Sequence, residues 1–406
     1  MEADGTPGRD VFVASPDDSP FDFSLSPEER EERMHAAGAD VVTDGFFVAF
    51  LDGDDVDAVL NDRRFAAIAM QTLALSGVTS GPLHDFWSTL MFGKDGDEHG
   101  RLRGTVNRTF TPRAIERHRP AIEAEARSVV ATVPDDSFDV FSTFSRPFAS
   151  RATCVVAGLP VEDHEPIADW AFTLVLGFFA MATPEAVAAV EQAVVEFCAY
   201  LDPILDAKLA EPADDVASVV MAAHADGTLS YEEARALVAN TVFGGMDATT
   251  KALTTGVYEL LRHGQWPLAT DSADLARHAV TEILRLDSPS RFVGRLAPED
   301  LVCQRVRLAA GQLVLAEIHA ANRDASRYPE PEVLDIGREQ GRQLAFGAGE
   351  HYCLGANQAK LTMEVGLTTL SSSFPVLRLA DPEAVVWEHD GFVGVTSLPV
   401  TTEPAS

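Results

Sequence analysis

Apolar positions along the chain recur mainly at helical spacing, with short strand-like runs near each end. Helical patterning begins near Ser26-Pro27-Glu28-Glu29, where a capping residue is followed by proline and acids. Phe46 to Leu51 is an apolar run of β type, Asp52-Gly53-Asp54-Asp55 reads as a turn, and Val56 to Leu60 begins a short helix. Residues 66–94 have weak periodicity, broken by Gly77, Gly81-Pro82 and Gly93, and read as a long loop of the kind that is often functional. Residues 120–230 predict several helices: Ala121 to Val133, Phe144 to Val156, the apolar run Trp170 to Ala182, and Pro184 to Leu205. Ser230-Tyr231-Glu232-Glu233 is a capping box, and nothing then interrupts the helical pattern until Gly264 and Pro267. That is one helix of about 34 residues, roughly 50 Å long. Leu301 to Ala316 reads as a hairpin around Ala309-Ala310-Gly311, and Phe374 to Val400 is β-rich, with a hairpin near Gly391 to Val395. The predicted fold class is mainly α with smaller β-sheets (α+β).

Composition narrows what such a chain does. A formal net charge of −32 argues against binding nucleic acid or anionic membranes. The four lysines are Lys94, Lys208, Lys251 and Lys360, so 27 of the 31 basic residues are arginine. Cys154, Cys198, Cys303 and Cys353 lie far apart with no CxxC, which suits a reducing compartment better than a disulfide framework. Residues 1–25 read as a loosely ordered acidic leader with no signal-peptide pattern, and the longest apolar run is too short to span a bilayer. The expectation is a cytoplasmic protein without a membrane anchor.

Three stretches carry chemistry. In Phe346-Gly347-Ala348-Gly349-Glu350-His351-Tyr352-Cys353-Leu354-Gly355, one cysteine sits between a glycine turn and an apolar helical pattern. A thiolate at a helix N-terminus is stabilised by free N–H groups, and such a sulfur could be a nucleophile, a redox thiol or a metal ligand. Inside the long helix lies Gly244-Gly245-Met246-Asp247-Ala248-Thr249-Thr250, where two glycines permit close approach to the backbone. A carboxylate buried beside them is costly unless it is used or paired. His99 and Arg103 stand four apart on one helix face, ahead of Phe110-Thr111-Pro112. Arg101, Arg108, Arg113, Arg117 and Arg119, against the single acid Glu116, make the clearest basic cluster in an acidic chain.

Phe-Gly-x-Gly-x-His-x-Cys-x-Gly resembles the haem-binding loop of the cytochrome P450 family, and the other stretches resemble that family in order and spacing over about residues 25–400. The resemblance implies a single haem-thiolate domain over residues 26–406 that binds haem b (iron protoporphyrin IX). It makes Cys353 the iron ligand, with Phe346 beside the sulfur and Gly355 letting the next helix approach the porphyrin. His99, Arg103, Arg295 and His351 become the propionate-binding set, and Gly245 part of the cofactor surface. Asp247 aligns with the acid of the oxygen-activating helix. The family's proton-relay threonine is Ala248 here, and Thr249 stands about 100° around the helix from that position. Either substrate or water supplies the missing hydroxyl, or the helix is distorted enough to present Thr249, or activation is weak or the chemistry departs from simple hydroxylation. Glu282-x-x-Arg285 and Arg338 match a structural triad. Phe243, Met246, Arg291, Phe292 and Phe392, or Val393, are the substrate-pocket candidates.

The implied activity is hydroxylation of a small, largely apolar molecule using O2, with electrons from NAD(P)H through a reductase and a ferredoxin that docks on the arginine cluster. Ala248 leaves two alternatives, a peroxide-driven enzyme and a non-catalytic haem protein that binds a ligand.

Overall fold

The computed structural model describes residues 11–15, 19–21, 27–179, 181, 183–266, 272–339, 341–389 and 391–402. They form two units, each assembled from separated stretches of chain. Ser26, Pro267 and most of the expected leader lie outside the described residues. Within that leader Val11–Val13 forms a strand rather than loose chain, pairing in parallel with Val41–Thr43.

One unit comprises residues up to Ile68, Leu284–Val333 and Glu339–Cys353. Its frame is a five-stranded sheet in the order Val11–Val13, Val41–Thr43, Phe47–Phe50, Leu313–Glu317, Phe292–Leu296. The two-residue alternation of side chains splits the sheet into two apolar faces. Val41, Val48, Phe50, Val314 and Ala316 pack with Val56, Val59 and Leu60. Val42, Ala49 and Leu315 pack with Phe21 and Met34. The predicted turn at Asp52 is instead a helix start: the Asp52 carboxylate accepts from the amides of Asp54 and Asp55, and the helix runs Gly53–Asn61. The expected hairpin around Gly311 also moves. Leu301–Cys303 pairs with Val306–Leu308 through Gln304 and Arg305, both in the left-handed region. Leu313–Glu317 joins the main sheet between Phe47–Phe50 and Phe292–Leu296.

The other unit comprises Ala69–Ile283, Leu334–Arg338 and Leu354–Ser406. Its axis is the long helix, observed as Tyr231–Arg262 with both bonds of the predicted capping box in place. Apolar and small residues cover nearly all of its faces, so helices pack around it. Helices Arg146–Ala157 and His164–Val175 lie against it, as does Ala356–Ser373, where a Cβ on Gly366 would fall 2.9 Å from Leu253 and 3.0 Å from Phe148. Pro184–Ala210 follows as a separate helix. The stretch read as a loop over 66–94 holds helices Ala69–Leu75 and Pro82–Thr89. Their brevity defeats periodicity, yet Pro82 at the first helical position is a start signal. The C-terminal hairpin, Val386–Glu388 with Gly394–Ser397, lies on the long helix: a Cβ on Gly394 would fall 2.7 Å from that of Lys251, and Val395 N donates to Thr255 Oγ1 at 3.0 Å.

Glu282, buried in helix Ala273–Leu286, accepts from Arg338 Nε at 2.9 Å and from Asp335 N at 3.1 Å. Arg285, likewise buried, belongs to the first unit and donates to the carbonyls of Asn322 and Pro331 at 2.9 and 2.8 Å. Removing one member of a buried pair strands the other charge. Arg338→Ala should therefore lower the unfolding free energy by about 3 kcal/mol or more in urea titration; a loss below about 1 kcal/mol would show the pair to be dispensable.

Candidate active site

In the first unit the cysteine loop is held by its own backbone. Gly347 N donates to Leu344 O at 2.7 Å, Tyr352 N to Gly349 O at 3.2 Å, and Cys353 N to Phe346 O at 2.9 Å. Leu344 is anchored in turn by the side chain of buried Asn322, at 2.7 Å. Gly347 and Gly349 have φ of +67° and +70°, which side-chain-bearing residues rarely adopt. At Gly349 a Cβ would also fall 2.4 Å from the Leu60 carbonyl oxygen. The backbone therefore runs tight over the helix Gly53–Asn61 and carries Phe346, His351 and Cys353 in one turn.

The four cysteines are not equivalent. None is in a disulfide; Cys154, Cys198 and Cys303 are buried and Cys353 is exposed. Burial pushes the Cys154 thiol up to about 12 and the Cys303 thiol up to about 11, and raises that of Cys198. Those three sulfurs stay protonated, which leaves Cys353 as the thiol placed to reach a ligand. Arg295, buried on its strand, donates to Gly294 O at 3.0 Å; His351 is half-buried beside Glu350. Phe346 lies against the ring of Tyr352. Arg291 lies 4.0 Å from Asp287, which also meets Arg323 at 3.3 Å, so it belongs to an internal ion cluster. Phe292 is half-buried and pairs with Glu317 across the sheet.

In the second unit His99 and Arg103 do share a helix, Gly96–Val106, with His99 buried. Gly355 caps the helix Ala356–Ser373 and has open space where a Cβ would stand. Gly245 serves a neighbouring helix: a Cβ there would fall 3.1 Å from the side chain of Thr153, whose hydroxyl donates to Gly245 O at 3.3 Å. The open face of the long helix lies at Gly244, which is exposed, and at half-buried Ala248 four residues on. The helix is α throughout, with no 3₁₀ or π break, so its course does not carry Thr249 round to the position of Ala248; Thr249 is buried.

Asp247 is buried, and burial pushes its carboxyl up to about 6 despite the attraction of Lys251. Lys251 Nζ donates to Asp247 Oδ2 at 3.2 Å and to Phe392 O at 2.9 Å. Neither Lys251 nor its further partner Glu388 was expected as a site residue. The signal available was an i, i+4 acid–lysine pair inside a helix with little polar face.

Phe243 and Met246 are fully buried, and Phe243 stacks on Trp87 with ring centroids 6.2 Å apart. Phe178 touches Phe92, Phe243 and Phe392, at 4.3, 5.4 and 6.3 Å between centroids. Trp87 is fully buried, and its Nε1 has no hydrogen-bond partner among the described residues. The predicted arginine cluster is partly spent: Arg101 pairs with Glu233, Arg117 with Asp214 at 3.0 Å, and Arg119 with Glu116 and with Glu364 at 3.2 Å. Arg108 and Arg113 remain exposed.

Residues 272–396 match the family model named Cytochrome P450. Nocardicin C N-oxygenase of Nocardia uniformis subsp. tsuyamanensis is 34% identical to this chain, over 86% of it and 87% of that protein. Cytochrome P450 CYP107DY1 of Priestia megaterium is 33% identical, over 86% and 87%. A crystal structure of P450BioI in complex with a hexadecenoyl-ligated acyl carrier protein superposes with a TM-score of 0.80 at 28% identity, covering 88% of this chain and 92% of that one. The protein is thus a haem-dependent monooxygenase, and its cofactor is haem b. The chain belongs to the cytochrome P450 family. The donor set fits the group: one exposed thiol in a rigid turn, with basic side chains suited to its carboxylates. Family members draw electrons from redox partners and act on small molecules. No helix among the described residues is long and apolar enough to cross a membrane.

Gly349→Ala combines a disfavoured φ with a backbone clash, whereas Gly347→Ala meets nothing within 4 Å. The first should cost about 2 to 3 kcal/mol and the second about 1 kcal/mol in chemical unfolding. Equal losses would show that the loop is not held against Leu60.

Proposed function

We propose that the enzyme inserts one atom of O2 into a small, largely apolar substrate by hydroxylation, with Cys353 as the iron ligand. The observation that carries this is the contrast among the thiols: Cys353 alone is exposed, and it is fixed by a turn that only glycines accommodate. When bound, haem supplies oxygen binding and reductive O–O cleavage, which an electron-donating thiolate favours. His99, Arg103, Arg295 and His351 would hold its propionates through charge-assisted hydrogen bonds. Phe346 shields the sulfur, and Gly355 leaves room beside the following helix.

Asp247 is the residue that gives and takes protons. Its carboxyl, pushed up to about 6, changes state near neutral pH, as a general acid and base should. Ala248 has no hydroxyl and Thr249 is not swung into its place, so the proton leaves Asp247 by water or by a hydroxyl on the substrate. Phe243, Met246 and Phe392 form the apolar wall, with Trp87 and Phe178 behind them. Electrons come from a ferredoxin and its NAD(P)H-dependent reductase. The ferredoxin docks at Arg108 and Arg113, the two arginines of the cluster without an ion pair among the described residues. The acidic surface suits a cytoplasmic enzyme. Ala248 favours one second reading, a peroxide-driven enzyme, because such chemistry brings its own protons.

Turnover under ¹⁸O2 with ferredoxin, reductase and NAD(P)H should place one labelled oxygen in the product. Product formed faster with unlabelled H2O2 alone, and unlabelled, would favour the peroxide route. In the same assay Arg108→Gln with Arg113→Gln should raise the KM for ferredoxin most at low salt. An unchanged salt dependence would remove the docking site.

A further inference from the structure

Lys251 is one of only four lysines in the chain, and it is buried in the long helix. A lysine ammonium has three N–H donors and is expensive to bury unless they are used. Here there are three partners. Nζ lies 3.1 Å from Asp247 Oδ1 and donates to Oδ2 at 3.2 Å. It lies 3.2 Å from Glu388 Oε2, and it donates to the Phe392 carbonyl at 2.9 Å. One cation therefore joins two carboxylates in different surroundings: the Asp247 side chain is 2% exposed and that of Glu388 is 42% exposed. Glu388 and Phe392 both come from the C-terminal hairpin, seated on the helix at Lys251 and Thr255 by Gly394 and Val395.

We propose that Lys251 is a positioning residue for oxygen activation, holding Asp247 charged and oriented toward the hairpin and linking it to solvent through Glu388. The inference rests on the reading of Asp247 as the proton-delivering acid and deepens it. A proton from solvent lands on Glu388. The ammonium passes one N–H proton to Asp247 and receives one from Glu388, so Lys251 carries the same charge before and after. Solvent then reprotonates Glu388. The charged groups acting on Asp247 are Lys251 from its own helix, which favours the carboxylate, and Glu388 from the hairpin, which disfavours it. His389, next to Glu388, stacks on Trp387.

The two partners push in opposite directions, which gives a signed test. Infrared difference titration of the holoenzyme reads the Asp247 carboxylic C=O band, assigned by its loss in Asp247→Asn. In the wild type the midpoint should lie near 6. Lys251→Met should raise it by about 1 to 3 pH units, because a close opposite charge shifts a carboxyl by that much, and Glu388→Gln should lower it. Both variants should form less product per NAD(P)H at neutral pH. Lys251→Arg should keep the midpoint but not the coupling, since a guanidinium does not release its proton. A Lys251→Met midpoint within a few tenths of the wild type, or a Glu388→Gln midpoint that rises, would overturn the inference. Midpoints that move as stated, with Asp247→Asn as well coupled as the wild type, would instead overturn the proton-delivery role and leave Lys251 in control of Asp247's ionisation.

Discussion

A helix covered by protein on most of its faces cannot carry a bare charge, and the second unit is organised around that constraint. Tyr231–Arg262 is buried at Asp247 and again at Lys251, one turn apart. Desolvation penalises each charge, and the pairing offsets that only because every donor of the ammonium finds an acceptor. Two of the three partners come from the C-terminal hairpin, so the charge pair fixes where the hairpin lies as well as how the helix is ionised. A buried pair of this kind contributes little net stability. Its effect is to specify one arrangement of helix and hairpin.

The cysteine loop follows a different logic. It is shaped by backbone hydrogen bonds and by two glycines in conformations that other residues resist. A thiol placed this way keeps its position without surrounding mass, whereas the other three cysteines are packed into apolar cores where burial keeps them protonated. Rigidity without burial leaves the sulfur available as a ligand.

Much of this was legible in the sequence because the responsible patterns are local. The glycine–cysteine run, the capping box at Ser230 and the i, i+4 relation of His99 and Arg103 are set by neighbours within a few residues. The rest is hidden either by brevity or by partners far along the chain. The helices Ala69–Leu75 and Pro82–Thr89 are too short to show a period. The five arginines read as one patch because their partners Glu233, Asp214 and Glu364 lie far along the chain. The close neighbour of Gly245 is Thr153, which also lies far along the chain. Lys251 passed unnoticed because a lysine in a helix is ordinarily a solvated residue; only its burial gives it meaning.

Cys353 is proposed as the thiolate that holds haem iron, and the reduced carbon monoxide complex reports that bond directly. The wild-type protein should show the long-wavelength Soret band of a thiolate-ligated haem, and Cys353→His, reconstituted with haem, should show the shorter-wavelength band of an imidazole-ligated one. A thiolate-type band that survives in Cys353→His would contradict the account.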